Sequence, residues 1–240
     1  MPDVSIIIPA FNEEAFLPRT LENLASVLKT VPLNVEVIVV DNNSTDNTSK
    51  IAEDWGARVV FESQNQISRA RNTGAGVALA DYLVFLDADT ELNAPLLRAA
   101  IERLQGGECC GGGTLVKFER EVPWLPQAFL NCWNWIAVKC RLAAGCFIYC
   151  RRDAFDYVGG FSEDVYASEE IWLSRAISNW GRERQMSFDI VTDYPISTSV
   201  RKVDWYSQGK LFVLFLPIML FPPLVRVQSF CNAWYKRPEY

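Results

Sequence analysis

Histidine is absent from this chain of 240 residues, and no two of its seven cysteines have the C-x-x-C spacing. A zinc site built from cysteine and histidine is therefore excluded. The side chain that most often acts as a general base is missing too, so acid–base chemistry would fall mainly to carboxylates. The cysteines stand among apolar residues, which predicts buried free thiols in a reducing compartment.

An excess of basic residues is also lacking, because the formal net charge is −6. This balance argues against a nucleic-acid partner. The first residues carry no basic segment and enter a strand pattern at once, so we expect no signal peptide and a cytoplasmic location. Half of the residues are hydrophobic, enough for one large domain or one domain with an appendage.

The sequence lacks the glycine motifs of two common nucleotide-binding folds. The first predicted strand, residues 4–8, is followed by residues 9–13 without G-x-G-x-x-G. No P-loop motif occurs either. A dinucleotide-binding Rossmann domain and a P-loop enzyme are therefore disfavoured.

Four short apolar runs predict buried strands at residues 4–8, 35–40, 58–61 and 82–86. Helical patterns separate them, the third at residues 67–80. This alternation predicts an α/β fold with a mostly parallel central sheet flanked by helices. Right-handed crossovers would place Pro9, Asp41 and Asp87 along one edge, where such sheets bind ligands.

Two carboxylates, Asp87 and Asp89, follow the fourth strand directly. Hard oxygen ligands of this kind hold a divalent cation whose shell is completed by substrate phosphates. The alternative interpretation makes the pair a turn and the N-cap of the next helix.

The next segment predicts a helix at 95–104, a loop bracketed by glycines up to 111–113, and strands at 114–118 and 144–150. A helix at 124–142 carries many aromatic residues. We expect them in the core, with a lipid or acceptor surface as the alternative. Gly145 would permit close approach of a ligand.

A further helix is predicted to begin after Ser168 as its N-cap. Glu169 and Glu170 fall on or beside its apolar stripe, so at least one carboxylate should point towards protein or a cleft. The alternative is that both complement the helix dipole in the first turn.

The last 36 residues, 205–240, form an apolar and aromatic segment. Residues 211–225 are almost wholly apolar but contain three prolines, and they are shorter than the ~20 residues of a spanning helix. Basic and aromatic flanks suit a shallow membrane-interface segment. Burial in the core or a hydrophobic arm that closes an oligomer are the alternatives. The flanking residues are Lys210, Arg226, Lys236, Arg237, Trp205, Tyr206, Trp234 and Tyr235.

Residues 4 to about 200 resemble the family 2 glycosyltransferases, which have the GT-A fold. Four motifs in order carry the resemblance: Val4-Ser5-Ile6-Ile7-Ile8-Pro9-Ala10-Phe11-Asn12-Glu13-Glu14, Val40-Asp41-Asn42-Asn43-Ser44-Thr45-Asp46, Arg69-Ala70-Arg71-Asn72 and Leu86-Asp87-Ala88-Asp89. The resemblance implies inverting transfer of a sugar from a nucleotide-diphosphate sugar to a hydroxyl acceptor, with Mg²⁺ or Mn²⁺ as cofactor.

The resemblance also implies roles by position. The nucleotide-sugar site would contain Pro9, Phe11, Glu13, Asp41, Arg71, Asp87, Ala88 and Arg201. Asp89 would bind the metal, together with Asp87. Glu169-Glu170 stands where the family usually has Glu-Asp, whose second acid is the catalytic base; here that acid is Glu170, with Glu169 as the other candidate.

Two departures from the family pattern matter. The chain has neither Gln-x-x-Arg-Trp nor a metal-binding histidine, which favours a single transfer over processive synthesis. Arg201 or Lys202 would contact the diphosphate instead. The domain division is then a GT-A domain at 1–204, with a nucleotide-binding half at about 1–118 and an acceptor half at about 119–204, and the membrane-interface segment at 205–240.

The expected partners are the donor, a hydroxyl acceptor that is lipid-linked or near a membrane, and the inner face of that membrane. A nucleotidyltransferase of related fold and a non-catalytic nucleotide-binding scaffold are the competing functions. A nucleotidyltransferase would require a glycine-rich basic loop after the first strand, and residues 9–14 do not supply one.

Overall fold

The computed structural model describes residues 1–205 and 222–231. Eight strands run at β1 Val4–Ala10, β2 Val35–Asp41, β3 Arg58–Phe61, β4 Tyr82–Leu86, β5 Thr90–Glu91, β6 Cys109–Phe118, β7 Phe147–Arg151 and β8 Ser187–Thr198 within these residues. The helices are α1 Leu17–Leu28, α2 Thr48–Trp55, α3 Ile67–Val77, α4 Ala94–Gln105, α5 Trp124–Cys140, α6 Arg152–Val158, α7 Glu169–Arg182 and α8 Arg201–Trp205. Short 3₁₀ turns follow at Pro222–Arg226 and Gln228–Cys231.

The described strands form one sheet in the order β3-β2-β1-β4-β7-β6-β8-β5. The first four strands are parallel to one another, as the alternation of strands and helices predicts. Beyond β4 the sheet becomes mixed: β7 is antiparallel to β4 and β6, β8 is parallel to β6, and β5 is antiparallel to β8. The predicted α/β fold with helices on both faces of the sheet is confirmed.

Strand β1 lies in the middle of the parallel half and is buried along its whole length. Its side chains alternate between the two faces, so Ile6 and Ile8 join one apolar cluster with α1 and α4. Ile7 joins the other cluster with α3 and α7. Because both faces are covered by helices, the strand reads as a continuous apolar run.

Gly74 explains how helix α3 tolerates a glycine in its interior. A Cβ at this position would lie 2.4 Å from Ile7 Cγ2 and 2.8 Å from Val40 Cγ2. The missing side chain lets α3 pack directly on β1 and β2. The helix ends at Val77, three residues before the predicted end, because Ala78 is already extended.

The glycines at 111–113 lie in a strand, so the prediction that they bracket a loop is wrong. These residues lie inside β6, which begins at Cys109 and pairs with β7 and β8. A Cβ on Gly112 would clash with the Asp189 carbonyl oxygen and would lie only 2.5 Å from the Tyr149 hydroxyl oxygen. The glycines therefore serve close packing of neighbouring strands.

Several aromatic residues of helix α5 are exposed, contrary to the expectation that they lie in the core. Trp124 is 75% exposed, Trp135 64% and Phe129 45%. Only one side of the helix packs on the core, with Leu130 and Trp133 against the apolar cluster. Aromatic content alone does not reveal which side of a surface helix faces inward.

The cysteine prediction holds in part. All seven cysteines lie in the described residues and are free thiols, but Cys132 and Cys140 on α5 are exposed. The remaining five are buried or half-buried.

The apolar C-terminal segment is described only at residues 222–231. There Val225 and Cys231 are buried against Val165 and Ala167, and the Tyr166 N–H donates to the Val225 carbonyl at 2.7 Å. Residues 206–221 and 232–240, which hold most of the predicted membrane-interface segment, lie outside the described residues. In the described part of the chain, no helix has both the length and the apolar character to cross a membrane.

Candidate active site

The carboxyl ends of β1, β2 and β4 meet at one edge of the sheet, as predicted. Ala10 is in register with Asp41, and β4 lies on the other side of β1. Pro9 is in register with Val40, one residue before Asp41 on the neighbouring strand, and the residues after Leu86 continue to the same edge. Parallel strands with right-handed crossovers produce this convergence from segments far apart in the sequence.

The two loops that follow β1 and β2 are bonded to each other. Asn12 and Asn43 adopt left-handed backbone, with φ of 51° and 63°, which asparagine tolerates better than most residues. The Asn12 side-chain oxygen accepts from the Thr45 N–H at 2.8 Å, and the Asn12 N–H donates to the Ser44 hydroxyl at 3.0 Å. Asp41 Oδ1 accepts from the Ser44 N–H at 3.0 Å.

Arg71 on α3 is the centre of a buried ion-pair group beneath this edge. Its side chain is 1% exposed. Nη1 donates to Glu169 Oε1 at 2.5 Å, and Nη2 donates to Asp87 Oδ1 at 2.9 Å and to the Gly145 carbonyl at 2.8 Å. The ring of Phe161 stacks at 5.0 Å. Arg71 thus connects the first turn of α7 to the end of β4.

Electrostatics keep Arg71 charged. Burial lowers the pKa of its guanidinium, but the nearby carboxylates of Asp87, Glu169 and Glu170 raise the pKa above its ordinary value. Since Arg71 has almost no exposed surface, its side chain positions the acids. A direct role of Arg71 in nucleotide binding stays a prediction.

Arg201, at the start of α8, forms a second group with two other predicted site residues. Nη1 donates to Glu13 Oε2 at 2.5 Å, and Nε lies 2.9 Å from Asp89 Oδ2. The Ser199 hydroxyl also donates to Asp89 Oδ2, at 2.5 Å. The residues after β8 therefore close over the residues after β1 and β4, and a cation already neutralises Asp89.

Phe11 follows β1, and Ala88 lies in the turn that follows β4. Ala88 is buried, and its carbonyl accepts from the Thr20 hydroxyl at 2.7 Å, which ties the turn between the two aspartates to α1. Phe11 is half-buried directly after β1.

The two adjacent acids of α7 have different environments. Glu169 is 4% exposed and is held by Arg71, whereas Glu170 is half-buried. A Cβ on Gly145 would lie 3.8 Å from the Glu170 carboxyl carbon, so the glycine keeps space open beside this acid. Ser168 precedes the helix as predicted, but its backbone is left-handed and its side chain forms no capping bond.

Burial and the neighbouring Glu169 carboxylate raise the pKa of Glu170 to about 8. Backbone hydrogen bonding and Arg71 act in the opposite direction but do not compensate. A carboxylate with a pKa near the working pH is what acid–base catalysis requires.

The raised pKa of Glu170 predicts how stability depends on pH. Between the ordinary pKa of 4.5 and about 8, folded Glu170 keeps a proton that the unfolded chain has lost, so unfolding free energy falls as pH rises through this window. We expect Glu170→Gln to have a higher Tm than the unmodified protein above pH 8, on the order of several °C, and no gain below pH 4.5. Thermal unfolding across this range measures the difference. Glu53→Gln, an exposed change on α2, is the control, and an equal Tm for Glu170→Gln at every pH would contradict the burial argument.

A divalent cation at this edge of the sheet would require several oxygen ligands. Within residues 1–205 and 222–231, no group of three acidic, cysteine or histidine side chains could hold a metal ion unaided. Asp87 and Asp89 provide hard oxygen donors at the edge of the sheet. This set fits a cation that arrives with substrate phosphates, the usual arrangement for Mg²⁺, and not a metal held by protein alone.

Several contacts of the site are not apparent from the sequence. Distant segments supply the Gly145 carbonyl and the Phe161 ring to Arg71, and the Phe16 ring to Arg201. The Trp205 ring over Arg201 comes from one turn further along α8. No motif signals them, because ring stacking and carbonyl positions depend on how the helices pack.

Known proteins share this architecture. PcManGT, a mannosyltransferase of Pyrobaculum calidifontis solved with GDP-Man and Mn²⁺, superposes with a TM-score of 0.67 at 19% identity, over 98% of this chain and 70% of that chain. Glucosyl-3-phosphoglycerate synthase of Mycobacterium tuberculosis, solved with Mn²⁺, UDP and glucosyl-3-phosphoglycerate, superposes with a TM-score of 0.64 at 18% identity, over 96% of this chain and 80% of that chain. The fold is therefore that of the GT-A glycosyltransferases.

Sequence comparison gives the family. The model of glycosyl transferase family 2 matches residues 5–159, more than half of the chain, and the chain belongs to this family. A stretch of 97 residues is 39% identical to 4,4'-diaponeurosporenoate glycosyltransferase of Staphylococcus haemolyticus, covering 38% of this chain and 25% of that protein. The matched segments span only a quarter to about half the length of the first curated relatives, at 25%, 31% and 54%.

Proposed function

We propose that this protein transfers a sugar from a nucleotide-diphosphate donor to a hydroxyl acceptor, with inversion and in a single transfer. The observation that carries the proposal is the difference between two adjacent acids. Glu169 is fixed by Arg71, while Glu170 is half-buried beside Gly145 with a pKa of about 8.

The donor would bind along the edge formed by β1, β2 and β4. Pro9, Phe11 and Asp41 lie there with the bonded loops after β1 and β2, which form a preformed wall for a nucleoside. Arg201 is the cation best placed for the diphosphate, because it already lies between Glu13 and Asp89. An incoming diphosphate would compete with those carboxylates for its guanidinium.

Asp89 and Asp87 would hold a divalent cation, Mn²⁺ or Mg²⁺, together with the donor phosphates. When bound, such an ion neutralises the negative charge that develops on the leaving diphosphate. Both PcManGT and the glucosyl-3-phosphoglycerate synthase were solved with Mn²⁺ and a nucleotide, which supports this part of the proposal.

Glu170 would act on the acceptor. Its carboxylate takes the proton of the acceptor hydroxyl as that oxygen forms a bond to the anomeric carbon of the sugar. The bond from the anomeric carbon to the diphosphate breaks in the same step, and the nucleoside diphosphate leaves with the electron pair. Arg71 holds Glu169 and thereby fixes the first turn of α7, so that Glu170 keeps its position.

The acceptor is proposed to be lipid-linked or presented near a membrane, with the protein bound peripherally on the inner face. The apolar composition of residues 211–225 and their basic and aromatic flanks support this part.

Asp89→Asn tests the cation site. We expect it to abolish metal-dependent turnover and to leave Tm nearly unchanged, because Arg201 keeps its ion pair with Glu13. Nucleoside diphosphate release is measured against Mn²⁺ and Mg²⁺ concentration with a panel of nucleotide sugars. Asp81→Asn, at the other end of the strand that precedes Asp89, is the matched control. If Asp89→Asn keeps full activity in the presence of a chelator, the metal assignment is wrong.

The same panel tests the proposal as a whole. Release of nucleoside diphosphate with transfer of sugar to an acceptor is the expected result. Tight binding of nucleotide sugars with no release under any metal would instead favour a non-catalytic nucleotide-binding protein.

A further inference from the structure

Helix α5 presents an apolar face to solvent. Trp124, Trp135 and Val138 are 75%, 64% and 41% exposed. With 3.6 residues per turn, they fall on one side of the helix, and the two tryptophans lie about 16 Å apart along its axis. Leu130, Trp133 and Ala137 occupy the opposite side, towards the core.

A cationic cavity lies at the C-terminal end of this helix. It has a volume of about 300 Å³. Its lining consists of Lys139, Cys140, Arg141, Ser178, Arg182, Met186 and Phe188, which include three cations and no carboxylate. Within the described residues, the side chains of the three cations form no ion pair or hydrogen bond. In a chain with a net charge of −6, such a group requires an explanation.

Helix dipoles account for only part of this group of three cations. Lys139 and Arg182 are in the last turns of α5 and α7, where a cation complements the helix C-terminus. Arg141 lies beyond the end of α5 with φ of 52°, and it lines the same cavity. Three cations at one cavity therefore exceed what the dipoles explain, and an anion would neutralise them.

We propose that the outer face of α5 and this cavity together dock on an anionic lipid bilayer. The tryptophans would enter the boundary between headgroups and acyl chains, where their amphipathic rings are most stable. The cavity would take the phosphate of one lipid headgroup. The proposal does not depend on the sugar-transfer activity, because it concerns a different surface of the molecule.

Charge favours the bilayer over a second copy of the chain. A twofold interface centred on α5 would bring two copies of the same cations into one contact region. An anionic bilayer offers the opposite charge next to an apolar layer, and both features of the surface then find a partner. The cavity also lies well away from the reacting groups: Ser178 is eight residues beyond Glu170 on α7, about 12 Å along the helix.

Vesicle co-sedimentation of the full chain tests the proposal, with vesicles of phosphatidylcholine alone and of phosphatidylcholine mixed with phosphatidylglycerol. We expect binding to the anionic vesicles that weakens as salt is added. Each cation should contribute about fivefold to binding. The triple change Lys139→Gln, Arg141→Gln and Arg182→Gln should therefore weaken binding on the order of a hundredfold. The double change Trp124→Ser and Trp135→Ser should reduce binding at least about tenfold.

Matched controls separate this surface from general effects. Lys29→Gln, Lys50→Gln and Arg98→Gln change the net charge by the same amount elsewhere, and Phe61→Ser removes an exposed aromatic on β3, at the far edge of the sheet. These variants should bind vesicles like the unmodified protein. All variants should retain donor-nucleotide binding, so that loss of docking is not confused with loss of the proposed catalytic site.

Four results would overturn the proposal. The first is equal binding to neutral and anionic vesicles, and the second is unchanged binding of both the cation and the tryptophan variants. The third is that inorganic phosphate stabilises the protein but vesicles do not bind. The fourth is that the tryptophan changes convert a dimer to a monomer while vesicle binding stays intact. The second would leave residues 205–240 as the anchor, and the last would make the α5 face a contact between copies.

Discussion

Replacing Glu170 with glutamine is expected to lower turnover about 10²–10⁴-fold, the usual cost of a lost general base. Donor binding should persist, because Glu170 acts on the acceptor. Its glutamine analogue has nearly the same size and fits the space beside Gly145, so the loss would be chemical. Single-turnover transfer and donor titration, measured on the same preparation, separate the two effects.

Glu169→Gln is the matched comparison. This change removes one of the two carboxylates that neutralise buried Arg71, so its first effect should be on stability. We expect a lower Tm and a smaller loss of turnover than for Glu170→Gln. Should Glu169→Gln abolish turnover at unchanged Tm while Glu170→Gln is harmless, the base is Glu169.

Replacing Arg71 with methionine is expected to cost about 3–5 kcal/mol of unfolding free energy, the usual cost of breaking a buried ion pair from one side. Methionine fills a similar volume but leaves the Glu169 and Asp87 carboxylates without their cation. Asp87 keeps some contact with water, since its side chain is 29% exposed, so most of the cost should come from Glu169. Denaturant unfolding of single variants measures the loss.

Two variants make this result specific. Arg69→Met, two residues earlier on the same helix, breaks a surface pair with Glu163 and should cost no more than about 1 kcal/mol. Adding Glu169→Gln to Arg71→Met should restore part of the lost stability, because it removes the carboxylate left unpaired. If the two losses simply add, the ion pair does not account for the destabilisation.

Much of the fold could be predicted from sequence because its signals are local. The boundaries of β3 and β4 agree with the predicted strands 58–61 and 82–86, because a short apolar run marks a buried strand. The glycines of β6 and the exposed face of α5 could not be predicted in this way. The glycines of β6 are needed because a neighbouring strand approaches closely. The exposed face of α5 depends on which side of the helix packs against the core.

Part of the candidate site could likewise be predicted from the sequence, and part could not. Topology brings Pro9, Asp41 and Asp87 to one edge, and the sequence predicts this from strand order alone. That Arg201 would pair with both Glu13 and Asp89 is not predictable, because 188 residues separate Arg201 from Glu13.

The sequence by itself determined the family, the parallel half of the sheet and the acids that gather at its edge, since these depend on local patterns and on the handedness of crossovers. The family resemblance favours Glu170 by its position, but only the tertiary structure gives Glu169 and Glu170 different environments. Both are glutamates in the first turn of one helix, so their intrinsic properties are the same. Their environments differ because Arg71 reaches Glu169 from another helix, whereas Glu170 lies half-buried beside Gly145 without that ion pair. Desolvation and charge pairing are properties of the packed molecule, and they give the two acids different chemistry.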